Sequence, residues 1–233
     1  MNAFEFAQAV KAPFRKASLC GDHKFYDKFW FPVSSELEGA YPEILQETKR
    51  MMTRYEGFAP FQDISPDQIY ISNDDKWRMF FLKGAGWTFR KNAKQFPILM
   101  SILKKHPQIV SAYLSVLGPE KALNPHEGPW AGVLRMHMGL IIPDEEKCFI
   151  DVEGDRYHWK NGEVMIFDDT YNHYAVNGTD KLRVILFLDY MRPMKFPYNA
   201  FNWAVMKLSW AFPYIWKPLY RHWKWSRKFY EKA

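Results

Sequence analysis

The chain has 233 residues, 48% hydrophobic and 25% charged, which excludes a disordered protein and leaves room for one domain with a real core, with or without an appendage. Aromatic residues reach 18%, with ten Trp and thirteen Tyr, more than a core of this size needs, so some of them face an interface or a ligand. The net charge of +6 suits an anionic partner, whether nucleic acid, a membrane surface or an acidic substrate. Cys20 and Cys148 form no spacing motif and fit a reducing compartment, and the opening MNAFEFAQAVKAPFRK has no secretory apolar core, so a cytoplasmic location is expected.

Taken in order, residues 1–108 read as a helical and mixed segment supporting a β-rich core. A helix is predicted near Tyr41–Tyr55 (YPEILQETKRMMTRY), then a loop rich in Pro, Asp and Ser over 56–75, and a strand over Lys76–Leu82 (KWRMFFL). Phe96–Lys105 (FPILMSILKK) carries Pro97 at a first-turn position and stops before Pro107, which marks a short core helix.

From Ile109 to Pro193 the texture is β-rich. The runs IVSAYLSVL, GVLRMHMGLII, KCFIDV, RYHW, EVMIF, HYAV and LRVILFLDY are separated by GPEKALNP, PDEE, EGD, KNG, DDTYN and NGTDK. Strands at this spacing, broken by Gly, Asp and Asn, predict an all-β sandwich or barrel.

Residues 194–233 form a basic, Trp-rich tail, with seven Lys or Arg from Lys207 onward against one acid, Glu231. Phe196–Trp216 is apolar, but Asn199, Asn202 and Lys207 make full insertion in a bilayer costly. It reads as interfacial. The bland alternative is a C-terminal helix that packs its Trp residues on the barrel and solvates its basic face. No helix-turn-helix, zinc-finger or RNA-binding signature supports nucleic acid.

Two histidines at strand ends carry the chemistry. His126 lies in NPHEG and His173 opens a strand after DDTYN, and neutral imidazoles brought together there bind iron, zinc or copper. Between them, alternation along VLRMHMGLI puts Arg135, His137 and Gly139 on one face and Leu134, Met136, Met138 and Leu140 on the other. The apolar face packs on core, so Arg135 and His137 look into the barrel. A buried Arg needs an anion, either a nearby Asp or Glu or the carboxylate of a ligand. Arg183 begins a second inward row with Ile185, Phe187 and Asp189. Two inward Arg favour an anionic small molecule, whose carboxylate the planar guanidinium grips with two bonds. Asp168 and Asp169 read as an Asp-rich turn or as acceptors behind a ligating imidazole.

The ordered pattern Ser115, His126-Glu-Gly-Pro, LRMHMGLIIP, W-x-x-GEVMIFDDTYNHYAVN and RVILFLDYMRP, from about Ser111 to Pro193, resembles the aspartyl/asparaginyl β-hydroxylase family of Fe(II)- and 2-oxoglutarate-dependent dioxygenases. That resemblance implies a mainly β fold, a double-stranded β-helix (a cupin-like jelly roll), with flanking N-terminal helices and the C-terminal helical tail outside it. It implies His126 and His173 as iron ligands, and Ser115, Arg135, His137 and Arg183 as contacts of 2-oxoglutarate, with O2 as the oxidant. The usual facial triad adds an acid two residues after the first His. Gly128 stands there, so water is expected in the vacancy.

The stretch CFIDVEGDRYHWKNGEVMIFDDTYNHYAVNGTDKLRVILFLDYMRPM resembles the bacterial lipid A and ornithine-lipid acyl 2-hydroxylases. This implies a membrane-lipid acyl chain as substrate, and a peripheral site of work at the inner face of the cytoplasmic membrane. Hydroxylation of an Asp or Asn side chain is the alternative within the family. A non-oxidative metal-binding cupin and a membrane-binding module are the alternatives outside it.

Overall fold

The computed structural model describes residues 3–208 and 213–231. Helix α1 (Ala3–Ala17) is followed by β1 (Phe25–Tyr26), α2 (Val33–Gly39), α3 (Tyr41–Met52), β2 (Ala59–Pro60), α4 (Phe61–Ile64), β3 (Trp77–Gly84), β4 (Trp87–Thr88), α5 (Arg90–Ala93) and α6 (Pro97–Lys105). The β-rich region then runs through β5 (Ile109–Leu117), β6 (Lys121–Ala122), β7 (Val133–Ile141), β8 (Cys148–Val152), β9 (Asp155–His158), β10 (Val164–Phe167), β11 (His173–Asn177) and β12 (Arg183–Met191). Helices α7 (Tyr198–Lys207) and α8 (Pro213–Glu231) close the chain.

Among the described residues the strands form two antiparallel sheets. The larger has the order β1-β10-β7-β12-β5-β3-β2, with β4 beside β3, and the smaller β6-β11-β8-β9. Counted from β5, the central strands of the larger sheet are first, eighth, third and sixth, and those of the smaller are second, seventh, fourth and fifth. That interleaving is a double-stranded β-helix, the jelly roll expected from the sequence.

The larger sheet is buried on both faces because helices cover its outside. Leu134, Met136, Met138 and Leu140 of β7, with Leu114, Leu186 and Leu188, pack on Leu37, Ile44, Leu99 and Ile102 of α2, α3 and α6. The inward face meets the smaller sheet through Trp77, Tyr113, Ile150, Trp159, Met165, Phe167 and Ile185. With both sides covered, β5 reads as an unbroken buried run rather than an alternating one.

Two expectations change. Residues 1–108 do more than support the barrel, because β1 to β4 belong to its larger sheet. The break GPEKALNP contains β6, a two-residue strand too short to show a period. Of the segment Phe196–Trp216, residues 209–212 lie outside the described ones.

Candidate active site

Cross-strand register assembles the site. On the inward face Ile185 sits opposite both Ser115 and Gly139, Phe187 opposite Tyr113 and His137, and Asp189 opposite Arg135. Side chains on one face of adjacent strands lie within about 5 Å at Cβ, so three remote stretches of sequence meet over three register positions. Ser115, His126, Arg135, His137, His173 and Arg183 all line one cavity of about 120 Å³.

His126 and His173 are joined by the backbone itself. The His126 amide donates to the His173 carbonyl (3.0 Å) and the His173 amide to the His126 carbonyl (2.9 Å). Their rings lie 4.3 Å apart between centroids. Each Nδ1 is turned to a carbonyl two residues earlier, Asn124 at 2.7 Å and Tyr171 at 2.9 Å. A carbonyl only accepts, so Nδ1 carries the proton and Nε2 presents its lone pair. Burial, then the neighbouring His173, pushes His126 down to about 4. Burial, then the Arg135 charge, does the same to His173. Two neutral imidazoles with free Nε2 atoms are ready metal ligands.

Gly128 is not beside open space. A Cβ built on it would overlap the Asp169 carboxylate, and the Gly128 amide donates to the Asp169 carbonyl at 2.6 Å. The space that a side chain at position 128 would need is therefore taken by the Asp169 carboxylate, which comes from another loop. Asp169 is fully enclosed, accepts from Arg135 Nε at 2.8 Å, and leaves Oδ1 without a partner among the described residues. Burial raises its carboxyl above the usual range, against the pull of Arg135. Among the described residues no group of three His, Cys, Asp or Glu is arranged to hold a metal.

The two arginines differ. Arg135 is paired with Asp169 and with Asp189. Burial opposes its charge, but the two acids outweigh it and hold the guanidinium above its ordinary range. Arg183 is fully buried, lies 4.6 Å over the Trp159 ring, and has no partner for Nε or Nη1 among the described residues. Burial pulls it down to about 10. His137 likewise has no hydrogen-bond partner on either ring nitrogen, and burial, then the Arg183 charge, keeps it neutral. Ser115 Oγ accepts from Trp77 Nε1 at 3.0 Å, leaving its hydroxyl hydrogen to donate.

The donor set fits the groups the sequence implies. Orphaned nitrogens of Arg183 and His137 and the Ser115 hydroxyl ask for carboxylate oxygens. The Arg135 triad holds one cation against two acids beside the imidazoles, a surplus of negative charge that suits a divalent ion. Sequence reasoning placed Phe187 on the inward row but missed the other walls: Phe61, Trp77, Tyr113 and Trp159 also line the cavity, and their apolar character reads as core until the register is known.

Residues 38–193 match the family model of the aspartyl/asparaginyl beta-hydroxylases. The chain belongs to this family. The match begins well before Ser111 because β2, β3 and α4 help to build the hydroxylase barrel and its cavity. Across 234 aligned residues, covering 100% of this chain and 82% of the relative, it is 39% identical to an ornithine lipid ester-linked acyl 2-hydroxylase of Rhizobium tropici. It is 28% identical over 71% of its length to the human aspartyl/asparaginyl beta-hydroxylase, of which it spans 23%. Among solved structures, a 2OG-Fe(II) oxygenase family oxidoreductase from Burkholderia pseudomallei aligns with TM-score 0.39 and 12% identity, over 51% of this chain and 66% of that one. That likeness is too distant to carry an argument. Membership makes the chain a hydroxylase, hence an oxidoreductase.

Proposed function

We propose that this hydroxylase uses Fe(II) and 2-oxoglutarate to hydroxylate C2 of an acyl chain on a membrane lipid, of the lipid A or ornithine-lipid type, at the inner face of the cytoplasmic membrane. The observation that carries the co-substrate is Arg183, a buried cation whose Nε and Nη1 lack a partner among the described residues and which therefore needs a ligand's anion.

His126 and His173 would hold the iron through Nε2. Arg183 and Ser115 would bind the far carboxylate of 2-oxoglutarate, with Trp77 orienting the serine hydroxyl. His137 and Arg135 would bond around the end nearer the metal. With O2, the bound iron and co-substrate supply an oxidant for an unactivated C–H bond, and the balance is acyl C–H + 2-oxoglutarate + O2 giving acyl C–OH + succinate + CO2. The protein's part is geometric: the Phe61, Trp77, Trp159 and Phe187 walls exclude water, and the paired Arg135 keeps Asp169 beside the imidazoles.

The acyl chain as substrate is supported by the full-length similarity to an acyl 2-hydroxylase and by the apolar Ile71, Leu123 and Pro129 on the cavity wall. Two measurements test the reading. Purified protein should release succinate only when iron and 2-oxoglutarate are both supplied, whereas retention of zinc without turnover would leave a non-oxidative cupin. Mass spectrometry of membrane lipids should show one added oxygen on an acyl chain in cells with the gene and none in cells without it. Unchanged lipids together with hydroxylated Asp or Asn side chains would move the substrate to peptides.

A further inference from the structure

Helix α7 is built inside out. Among its described residues only Asn202 is buried. Asn202 Oδ1 accepts from the Trp130 indole at 3.1 Å, and its Nδ2 donates to the Gly132 carbonyl at 2.7 Å. Tyr198, Phe201 and Trp203 are exposed, as are Phe196 just before the helix (82%) and Leu208 just after it (53%). A helix facing water buries its apolar stripe and shows its amides; this one buries the Asn202 amide and leaves three of its aromatic rings exposed, with Val205 and Met206 half-buried and Asn199 facing out. Apolar side chains clustered like this mark a contact surface rather than ordinary scatter.

Helix α8 adds charge. It docks on the barrel through His222, Ser226 and Phe229, while Trp216, Tyr220 and Trp223 form an exposed stripe at i, i+4 and i+7. Lys224 lies 4.9 Å over the Tyr220 ring and Arg227 5.3 Å over Trp223. Amphipathic rings flanked by long cations suit the boundary between water and anionic headgroups, where the rings sit at headgroup depth and the cations meet phosphate. Helices of this kind lie on such a boundary without crossing it. Ten residues of α7 extend about 15 Å, half of the roughly 30 Å hydrocarbon core, and no helix among the described residues is long and apolar enough to span.

The face also adjoins the cavity mouth. Glu127, Gly128 and Pro129 line the cavity, and Trp130 comes directly after them. Trp130 packs on Phe6 and Phe14 (6.1 and 5.3 Å), and Phe14 on Tyr198 and Phe201 (6.2 and 6.1 Å). One aromatic layer therefore runs from the mouth to α7. We infer that the outward faces of α7 and α8 dock the protein on the surface of a bilayer containing anionic lipid, with the cavity mouth beside the contact. The purpose of this docking rests on the proposed acyl-lipid substrate, but its test does not.

The test is co-sedimentation of the full chain with vesicles that contain no substrate, made of phosphatidylcholine alone or mixed with phosphatidylglycerol, at low and high salt. The wild type should bind the mixed vesicles best, and less at high salt. Phe196→Ser/Trp203→Ser/Leu208→Ser should lower binding to both vesicle types by about tenfold or more. Lys217→Glu/Lys224→Glu/Arg227→Glu should lower binding to the anionic vesicles by on the order of 100-fold. Both variants should keep the wild-type circular dichroism spectrum and melting temperature. Wild type left in the supernatant at low salt, or both folded variants binding as the wild type does, overturns the inference. So does a wild-type mass by light scattering of two chains that falls to one in the triple Ser variant, since the face is then a subunit interface. Hydroxylation of detergent-dispersed lipid tests the substrate reading independently of either result.

Discussion

Arg135 and Arg183 stand on neighbouring strands and look into the same barrel, yet the half-buried Arg135 is complete and the fully buried Arg183 is not. Asp169 and Asp189 satisfy Arg135. Arg183 has an aromatic floor and no acid among the described residues. Folding therefore finishes one end of the cavity and leaves the other under electrostatic tension until an anion arrives. A buried charge without its partner is a cost that selection keeps only for a ligand. The difference between the two arginines lies in their partners: the half-buried Arg135 already holds two acids, and the fully buried Arg183 holds none among the described residues.

Several substitutions break or sharpen that contrast. The largest effect is expected from Arg183→Met, which should weaken 2-oxoglutarate binding by roughly 30- to 5,000-fold, the equivalent of about 2–5 kcal/mol, and abolish turnover. Calorimetry measures the affinity, and an unchanged value removes Arg183 from the co-substrate site. The same variant should melt no lower than wild type in the absence of co-substrate, and should lose the rise in melting temperature that 2-oxoglutarate gives the wild type.

Arg135→Met should do the opposite, destabilising the unliganded fold by about 3–5 kcal/mol, because two acids lose their cation. Urea unfolding reads this, and a loss below about 1 kcal/mol would contradict the triad's structural role. Next is Gly128→Asp. Although it restores the acid of a common triad, it collides with Asp169, so it should cost about 1–3 kcal/mol as an overpacked site and lower metal content. Adding Asp169→Gly should recover metal retention. Ser115→Ala should cost about tenfold in 2-oxoglutarate affinity with little change in melting temperature.

The mildest effect near neutrality is that of pH on the metal-free protein. His126 and His173 are held down to about 4 and His222 to about 3, with His137 well below its usual value. An unfolded chain takes up protons near pH 6.5 that these buried rings refuse. Stability should then be fully present above that pH and fall steadily below it. A urea midpoint that stayed flat from pH 7 to 4 would contradict the burial of these groups.

Much of this architecture is readable in the residues alone. Alternation along β7 gives Arg135 and His137 the inward face, and the long runs β5 and β12 declare themselves by length and β-branched content. What escapes is non-local. Asp189 faces Arg135 from 54 residues away, a pairing that only register creates. Asp169 reads as a turn residue because nothing in DDTYN reveals that its carboxylate lies on Gly128. The two-residue strands β1, β2, β4 and β6 are too short for any period. The polarity of α7 is hidden as well: YNAFNWAVMK looks like a helix with an apolar side to bury, and only the fold reveals that the asparagine goes in.

One contact of α8 has a practical consequence. Where β3 bulges, between Phe81 and Lys83, the Phe81 amide loses its ladder partner and donates instead to Nε2 of the buried His222 at 3.2 Å, within a cage of Phe81, Phe89 and Trp225 rings. The tail is thus a plug in the wall of the barrel as well as its sticky side. Cutting it away to obtain a better-behaved catalytic fragment would uncork that bulge and expose an apolar seam, and the fragment should aggregate where the full chain does not. A stable preparation freed from lipid is better sought by changing the outward residues of α8 and keeping its spine.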